Sequence, residues 1–294
     1  MKGRVPSELR LPDFIGVGPP RTGTTWLYRV LGGHVGLPNG LKETDFFAWE
    51  YRRGLQWYSN FFRNCSPHLR VGEIDPNYFD FPKAASRIAA DIPGCRIVVT
   101  LRDPVDRVYS CYKMTHRIGL IDGPLDFDSQ RETLAARASY ADNVLRWWDK
   151  FGRDNVLILL YDDLQANAQE FVDRVCGFIG IASIRIAGLP FENNRINPSA
   201  EMPRSLRLAR RIHRLRSVFR KHHWSRLSAM LQRGRPIADF VFSGGAHYPP
   251  LDPKLEKQLR DRFLPEVEQL ERLVGRDLTS WKEKQPRSLA PREA

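Results

Sequence analysis

Cysteine is scarce in this chain. Four stand among 294 residues (Cys65, Cys95, Cys111 and Cys176), with no Cys-x-x-Cys pair and no short Cys/His cluster. Zinc and iron–sulfur sites built on such clusters are not expected, and neither is a disulfide framework. A reducing, cytoplasmic compartment fits this usage best. Long apolar runs are missing too. The longest, Val156-Leu-Ile-Leu-Leu-Tyr161, is far short of the ~20 residues a membrane-spanning helix needs. No apolar core segment precedes Pro12, so residues 1–11 read as an N-terminal extension rather than a secretory leader. Acids are absent from one long segment. Between Arg204 and Arg235 there are ten Arg and one Lys with no Asp or Glu, which accounts for 11 of the 12 charges in the net balance of +12. The rest of the chain is nearly neutral.

What is present alternates between two periodicities. Asp13 to Gly18, Arg96 to Leu101 and Asn155 to Tyr161 are short apolar runs that read as buried strands. Helices are expected from Thr24 to Leu31, ending at Gly32-Gly33, and after the Asp103-Pro104 cap. Others are expected over Tyr140–Phe151, with Leu145 and Trp148 on the apolar face, and Asp163–Ile179, with the stripe Phe171, Val175 and Phe178. A long final helix covers Leu251–Val274, and residues 282–294 read as a flexible tail. The alternation predicts a P-loop-like three-layer α/β fold, a central parallel β-sheet flanked by helices, within a single domain over residues 12–281. Inside the basic segment 204–235, Leu206, Ala209, Ile212, Leu215 and Phe219 recur every three or four residues, the pattern of an amphipathic helix with a cationic face.

The sharpest local signal is Gly18-Pro-Pro-Arg-Thr-Gly-Thr-Thr25, directly after a strand and directly before a helix. Such a loop turns successive backbone N–H groups on one centre, and the helix N-terminus adds partial positive charge. Arg21, Thr22, Gly23, Thr24 and Thr25 are therefore candidate anion-site residues, with hydroxyl donors at Thr22, Thr24 and Thr25 and a guanidinium fork at Arg21; Pro20 and Trp26 flank them as candidate binding residues. In a nucleoside-triphosphatase loop a lysine follows the second glycine; Thr24 holds that place here. Magnesium-dependent triphosphate chemistry is disfavoured accordingly.

At these residues the chain resembles the sulfotransferases that use 3′-phosphoadenosine 5′-phosphosulfate (PAPS), in particular the heparan-sulfate-type and related bacterial branch. Phe14 to Leu27 is similar to their 5′-phosphosulfate loop. Leu101-Arg-Asp-Pro-Val-Asp-Arg-Val-Tyr-Ser110 is similar to their 3′-phosphate segment, in which Arg102 and Ser110 take the gripping positions. Lys42-Glu-Thr-Asp-Phe-Phe47 and Gly72-Glu-Ile-Asp-Pro-Asn-Tyr78 resemble two further elements of that branch. The resemblance implies transfer of a sulfuryl group from PAPS to a hydroxyl, less readily an amine, of a carbohydrate or glycoside acceptor. The product would be 3′-phosphoadenosine 5′-phosphate, with no metal. It also implies Glu43 as general base, with Asp45 as the alternative, because a carboxylate must take the acceptor proton. In an extended segment the two would face the same side, one raising the other's pKa. Arg21 stands where relatives carry a lysine and serves as the clamp on the leaving phosphate, with Lys42 as a second cation. Ser243 to Pro249 aligns with a loop where relatives carry cations against the donor. Gly245, His247 and Tyr248 are the candidates there, and Trp26 is the candidate for stacking on adenine.

Two other classes stay open on sequence alone: a P-loop nucleotide kinase-like transferase, and a basic nucleic-acid-binding protein, which leaves the glycine loop without a purpose. For Arg204–Arg235 three uses are open: an anionic membrane surface, which would make the chain peripheral at the inner membrane face; an acidic glycan; or a solvated face.

Overall fold

The computed structural model describes residues 9–130, 139–189, 201–221, 240–242 and 244–283. Residues 1–8, residues 222–235 of the basic segment and the tail from residue 284 lie outside the described residues. Four strands, β1 (Phe14–Gly16), β2 (Gly72–Ile74), β3 (Arg96–Leu101) and β4 (Val156–Leu160), form one sheet in the order β2-β1-β3-β4. Every pairing in it is parallel. The chain leaves β1 for β2 on one side and then crosses to β3 on the other. A crevice therefore opens at the carboxyl end of β1, the place where open α/β sheets bind ligands.

Each strand is buried on both faces, and its alternate residues serve opposite layers. Ile15, Ile97, Val99, Leu101 and Leu160 face one core, shared with α2 (Leu55–Ser59), α3 (Ala84–Asp91), α4 (Pro104–Arg117), α5 (Tyr140–Phe151) and α9 (Pro253–Val274). Phe14, Ile74, Val98 and Leu159 face the other core, with α1 (Thr24–Leu31) and α7 (Ala168–Ile179). The predicted three-layer α/β fold is what the chain adopts. Asp103 begins α4 as expected, its carboxylate accepting from Val105 N at 2.8 Å with Pro104 at the first helical position.

Two sequence expectations need correction. The buried face of α5 is Tyr140, Val144, Trp147 and Phe151, and Leu145 is exposed. Trp147, whose indole donates to the Phe79 carbonyl at 3.0 Å, sets that rotation rather than Trp148. The helix expected over Asp163–Ile179 is two: α6 (Tyr161–Ala166) stops at Asn167, which turns extended and caps α7 by accepting from Glu170 N at 3.1 Å.

A small subdomain completes the described residues. Strands β5 (Glu201–Pro203) and β6 (Gly244–His247) pair antiparallel beside α8 (Leu206–Lys221). It is fastened to α4. Arg117 Nε donates to the Phe242 carbonyl at 2.6 Å, and Arg210 Nε donates to Gly119 O at 2.7 Å. No described helix is long and apolar enough to cross a membrane.

Candidate active site

The glycine loop follows from steric demand. Gly18 lies flat on β3: a Cβ there would stand 2.2 Å from Thr100 Oγ1 and 2.6 Å from the Thr100 nitrogen. Thr22 is fully buried, donates to Pro19 O at 2.7 Å and pairs with Thr100 Oγ1 at 2.7 Å. Its hydroxyl therefore closes the loop instead of facing a ligand, which corrects the expectation of a hydroxyl donor at Thr22. Gly23 adopts φ 95° and starts α1, and no side chain caps that helix end. The first-turn N–H groups around Thr24 and Thr25 are left for an incoming anion. Pro20 sits half-buried on the loop. The Trp26 ring is 3 % exposed and packs edge-on to Phe171 at 6.1 Å, so core packing, not adenine stacking, occupies it.

Guanidinium groups converge beside the loop. Arg21, held at φ 75°, sends Nε to Ser110 Oγ at 2.8 Å across to α4. Arg102 reaches the Arg21 carbonyl at 3.5 Å and Asp106 at 3.2 Å. Its Nε is buried with no partner among the described residues. An orphaned charged donor of this kind is costly unless a ligand satisfies it. Burial lowers the Arg21 pKa, and the nearby charges of Arg102 and Arg117 push the same way. The three residues read from the two motifs, Arg21, Arg102 and Ser110, thus meet, though Ser110 bonds Arg21 and not Arg102. Sequence reasoning missed Tyr161, whose ring lies 4.6 Å from the Arg102 guanidinium and 3.3 Å from where a Gly23 Cβ would stand. The only sequence signal for it was its place at the end of an apolar strand.

The C-terminal loop is placed differently from expectation. Gly245 lies against β5, a Cβ there coming 2.7 Å from Met202 O, and His247 is exposed. Tyr248 Oη pairs with His116 Nδ1 at 2.8 Å and donates to Lys113 O at 3.2 Å. That hydroxyl fastens the hairpin to α4, which corrects the expectation that it holds the donor. Arg117, also missed, brings to this flank a cation that Gly244–Ala246 lacks.

The carboxylates stand at the end of β2, next to the loop. Asp75 N donates to Gly16 O at 2.9 Å, and Asp75 in turn accepts from Asp45 N at 2.8 Å. Glu73 accepts from Thr44 N at 2.9 Å and from Tyr58 at 2.6 Å. These bonds clamp the Lys42–Phe47 segment against the end of β2. Glu43 pairs with Lys42 at 2.7 Å and keeps partial exposure. Asp45 is not extended: φ is 56°, and its carbonyl starts the π-helical turn Phe46–Glu50 while its carboxylate accepts from Asn77 at 2.9 Å. The same-face argument for Glu43 and Asp45 therefore fails. The Asp75 carboxyl is raised, pushed up by burial and then by Glu73, Asp45 and Glu43. Arg21 and Asp45 are the two non-glycine residues with positive φ among the described residues, and both stand at this site.

Burial likewise lifts Glu73 to about 7. Its folded pKa exceeds its unfolded value, so the folded state holds the proton more tightly. Stability then falls as pH rises from the ordinary carboxylate range through about 7. Urea midpoints should be higher near pH 5 than near pH 8 (both about), and Glu73→Gln should flatten that slope. An unchanged slope in the variant would assign the pH dependence elsewhere.

The sequence profile of the sulfotransferase domain matches residues 11–224. Over 200 residues the chain is 32% identical to the bifunctional heparan sulfate N-deacetylase/N-sulfotransferase 1 of Mus musculus, covering 59% of this chain and 22% of that protein. Over 199 residues it is 29% identical to the corresponding enzyme 3 of Homo sapiens, with 58% and 22% covered. The chain thus matches about a fifth of the length of these curated relatives. A solved sulfotransferase from Alicyclobacillus acidocaldarius superposes with a TM-score of 0.64 over 93% of this chain and 99% of that one, at 22% identity, and so shares the fold. On the extent of the profile match, the chain belongs to the sulfotransferase-domain family.

Proposed function

We propose that this chain moves a sulfuryl group from PAPS to a hydroxyl or amine of a glycan-type acceptor. The observation that carries the reading is the meeting of an uncapped helix N-terminus with Arg21, Arg102 and Ser110, where the buried Arg102 Nε has no partner among the described residues. A nucleotide bearing a 5′-phosphosulfate and a 3′-phosphate supplies the anions such a set demands. In the transfer the acceptor oxygen or nitrogen forms a bond to sulfur while the bond from sulfur to the bridging oxygen breaks. The acceptor proton passes to Glu43, and 3′-phosphoadenosine 5′-phosphate departs. Arg21 stabilises the charge that grows on the departing phosphate; as an arginine it is a clamp and not a proton donor. Lys42 holds Glu43 in place and adds a second cation.

The acceptor class is supported by the names of the relatives, which are N-sulfotransferases of heparan sulfate. Incubating the purified chain with radiolabelled PAPS and a cell extract should transfer label to a carbohydrate fraction. Cleavage by nitrous acid at low pH separates an amine acceptor from a hydroxyl. Magnesium-dependent consumption of ATP with no sulfate transfer would point instead to a kinase-like transferase.

A further inference from the structure

The subdomain around α8 carries a surface that the transfer chemistry does not use. Ala209 is buried with Val241 and Phe242, and this fixes which side of α8 faces inward. The opposite side carries Arg207, Arg211 and Arg214 beside Leu208 and Leu215, all exposed, as the 3.6-residue period requires. Leu208 is 44% exposed and Leu215 57%. Phe240, 60% exposed, stands next to this helix with the Arg204 guanidinium 4.0 Å over its ring. Three of the eight large apolar side chains exposed among the described residues therefore belong to this one small element, interleaved with arginine. No acid falls between Arg204 and Arg235.

We infer that this face docks on an anionic phospholipid surface. An acidic polysaccharide can use the arginines but gains nothing from bare leucine and phenylalanine. A lipid interface uses both, because apolar side chains enter the acyl boundary while guanidinium groups meet phosphate. The helix lies on such a surface and does not span it, since no described helix is long and apolar enough to cross. The anchors from Arg117 to Phe242 and from Arg210 to Gly119 tie this surface to α4, the helix that carries Ser110. Docking therefore fixes the orientation of the transfer site relative to the lipid plane. That consequence rests on the proposed transfer; the docking itself does not.

The test is sedimentation of the full chain with vesicles, without nucleotide. Vesicles of phosphatidylcholine with about 30% phosphatidylglycerol should carry the chain down, and phosphatidylcholine alone should not. Leu208→Ser/Leu215→Ser and Arg207→Gln/Arg211→Gln should each weaken vesicle binding by about tenfold or more. Their thermal transitions should stay near that of the parent, because all four side chains are exposed. Equal sedimentation with both vesicle types, or none with either, overturns the inference. So does a leucine variant that binds as the parent does while soluble heparin displaces both, an outcome that assigns the face to an acidic polymer. None of these outcomes depends on sulfate transfer, so the docking and the activity fail separately.

Discussion

Glu43→Gln is expected to lower turnover by about 10²–10⁴-fold, the usual share of a positioned general base, while leaving nucleotide affinity close to that of the parent. Glutamine keeps the size of the side chain and removes its basicity. The backbone around it is held by other groups: Thr44 N by Glu73 and Asp45 N by Asp75. The substitution therefore leaves the segment in place and tests the chemistry alone. Glu43 keeps partial exposure beside its ion pair with Lys42, whereas the Asp45 carboxylate is engaged by Asn77. Single-turnover rates with saturating donor are the measurement. If Glu43→Gln turns over normally while Asp45→Asn loses the activity, the base is Asp45.

Arg21→Ala is expected to reduce kcat by about 10²–10³-fold, the scale for removing a donor aimed at developing negative charge, and to weaken donor binding as well. Two observations make this residue unusual. Its backbone is held in the left-handed region, which a side chain at that position does not favour. Its guanidinium donates to the Ser110 hydroxyl and lies near the like charges of Arg102 and Arg117. An anion bound beside it offsets that repulsion. Arg21→Lys should recover part of the rate, since it restores charge without the planar fork. A fall in kcat/KM with kcat unchanged would make Arg21 a binding residue only.

The parallel sheet was legible because β-branched runs such as Arg96–Leu101 leave little choice, and the cap at Asp103-Pro104 marks its helix directly. The loop at Gly18–Thr25 was legible as an anion site, yet the division of labour inside it was not. Thr22 looks like a ligand donor in one dimension and proves to be a bond to Thr100, a residue 78 positions away. The same limit hid Tyr161 and Arg117, which come near the loop only once β3 has brought β4 and α4 to this end of the sheet. Gly72–Tyr78 was legible only as a resemblance to a family element; neither strand β2 nor the burial of Glu73 and Asp75 was expected, because a carboxylate is ordinarily exposed. Asp45 was misjudged because period-two reasoning assumes an extended chain, and the π-helical turn begins there. The face of α5 was missed for a simpler reason. Trp147 shares a helical stripe with Tyr140, Val144 and Phe151, and this stripe, not the one with Leu145 and Trp148, is the buried one, held by the indole bond to the Phe79 carbonyl.

The proposed transfer requires Arg102 and its neighbours to hold a nucleotide by two anionic groups. Calorimetric titration with 3′-phosphoadenosine 5′-phosphate, in parallel with adenosine 5′-phosphate and without magnesium, addresses that directly. The parent chain should prefer the bisphosphate, and Arg102→Ala should lose about 2–3 kcal/mol of that binding while its affinity for the monophosphate changes little. No binding heat for the bisphosphate, or an Arg102→Ala variant that keeps the full preference, contradicts the assignment.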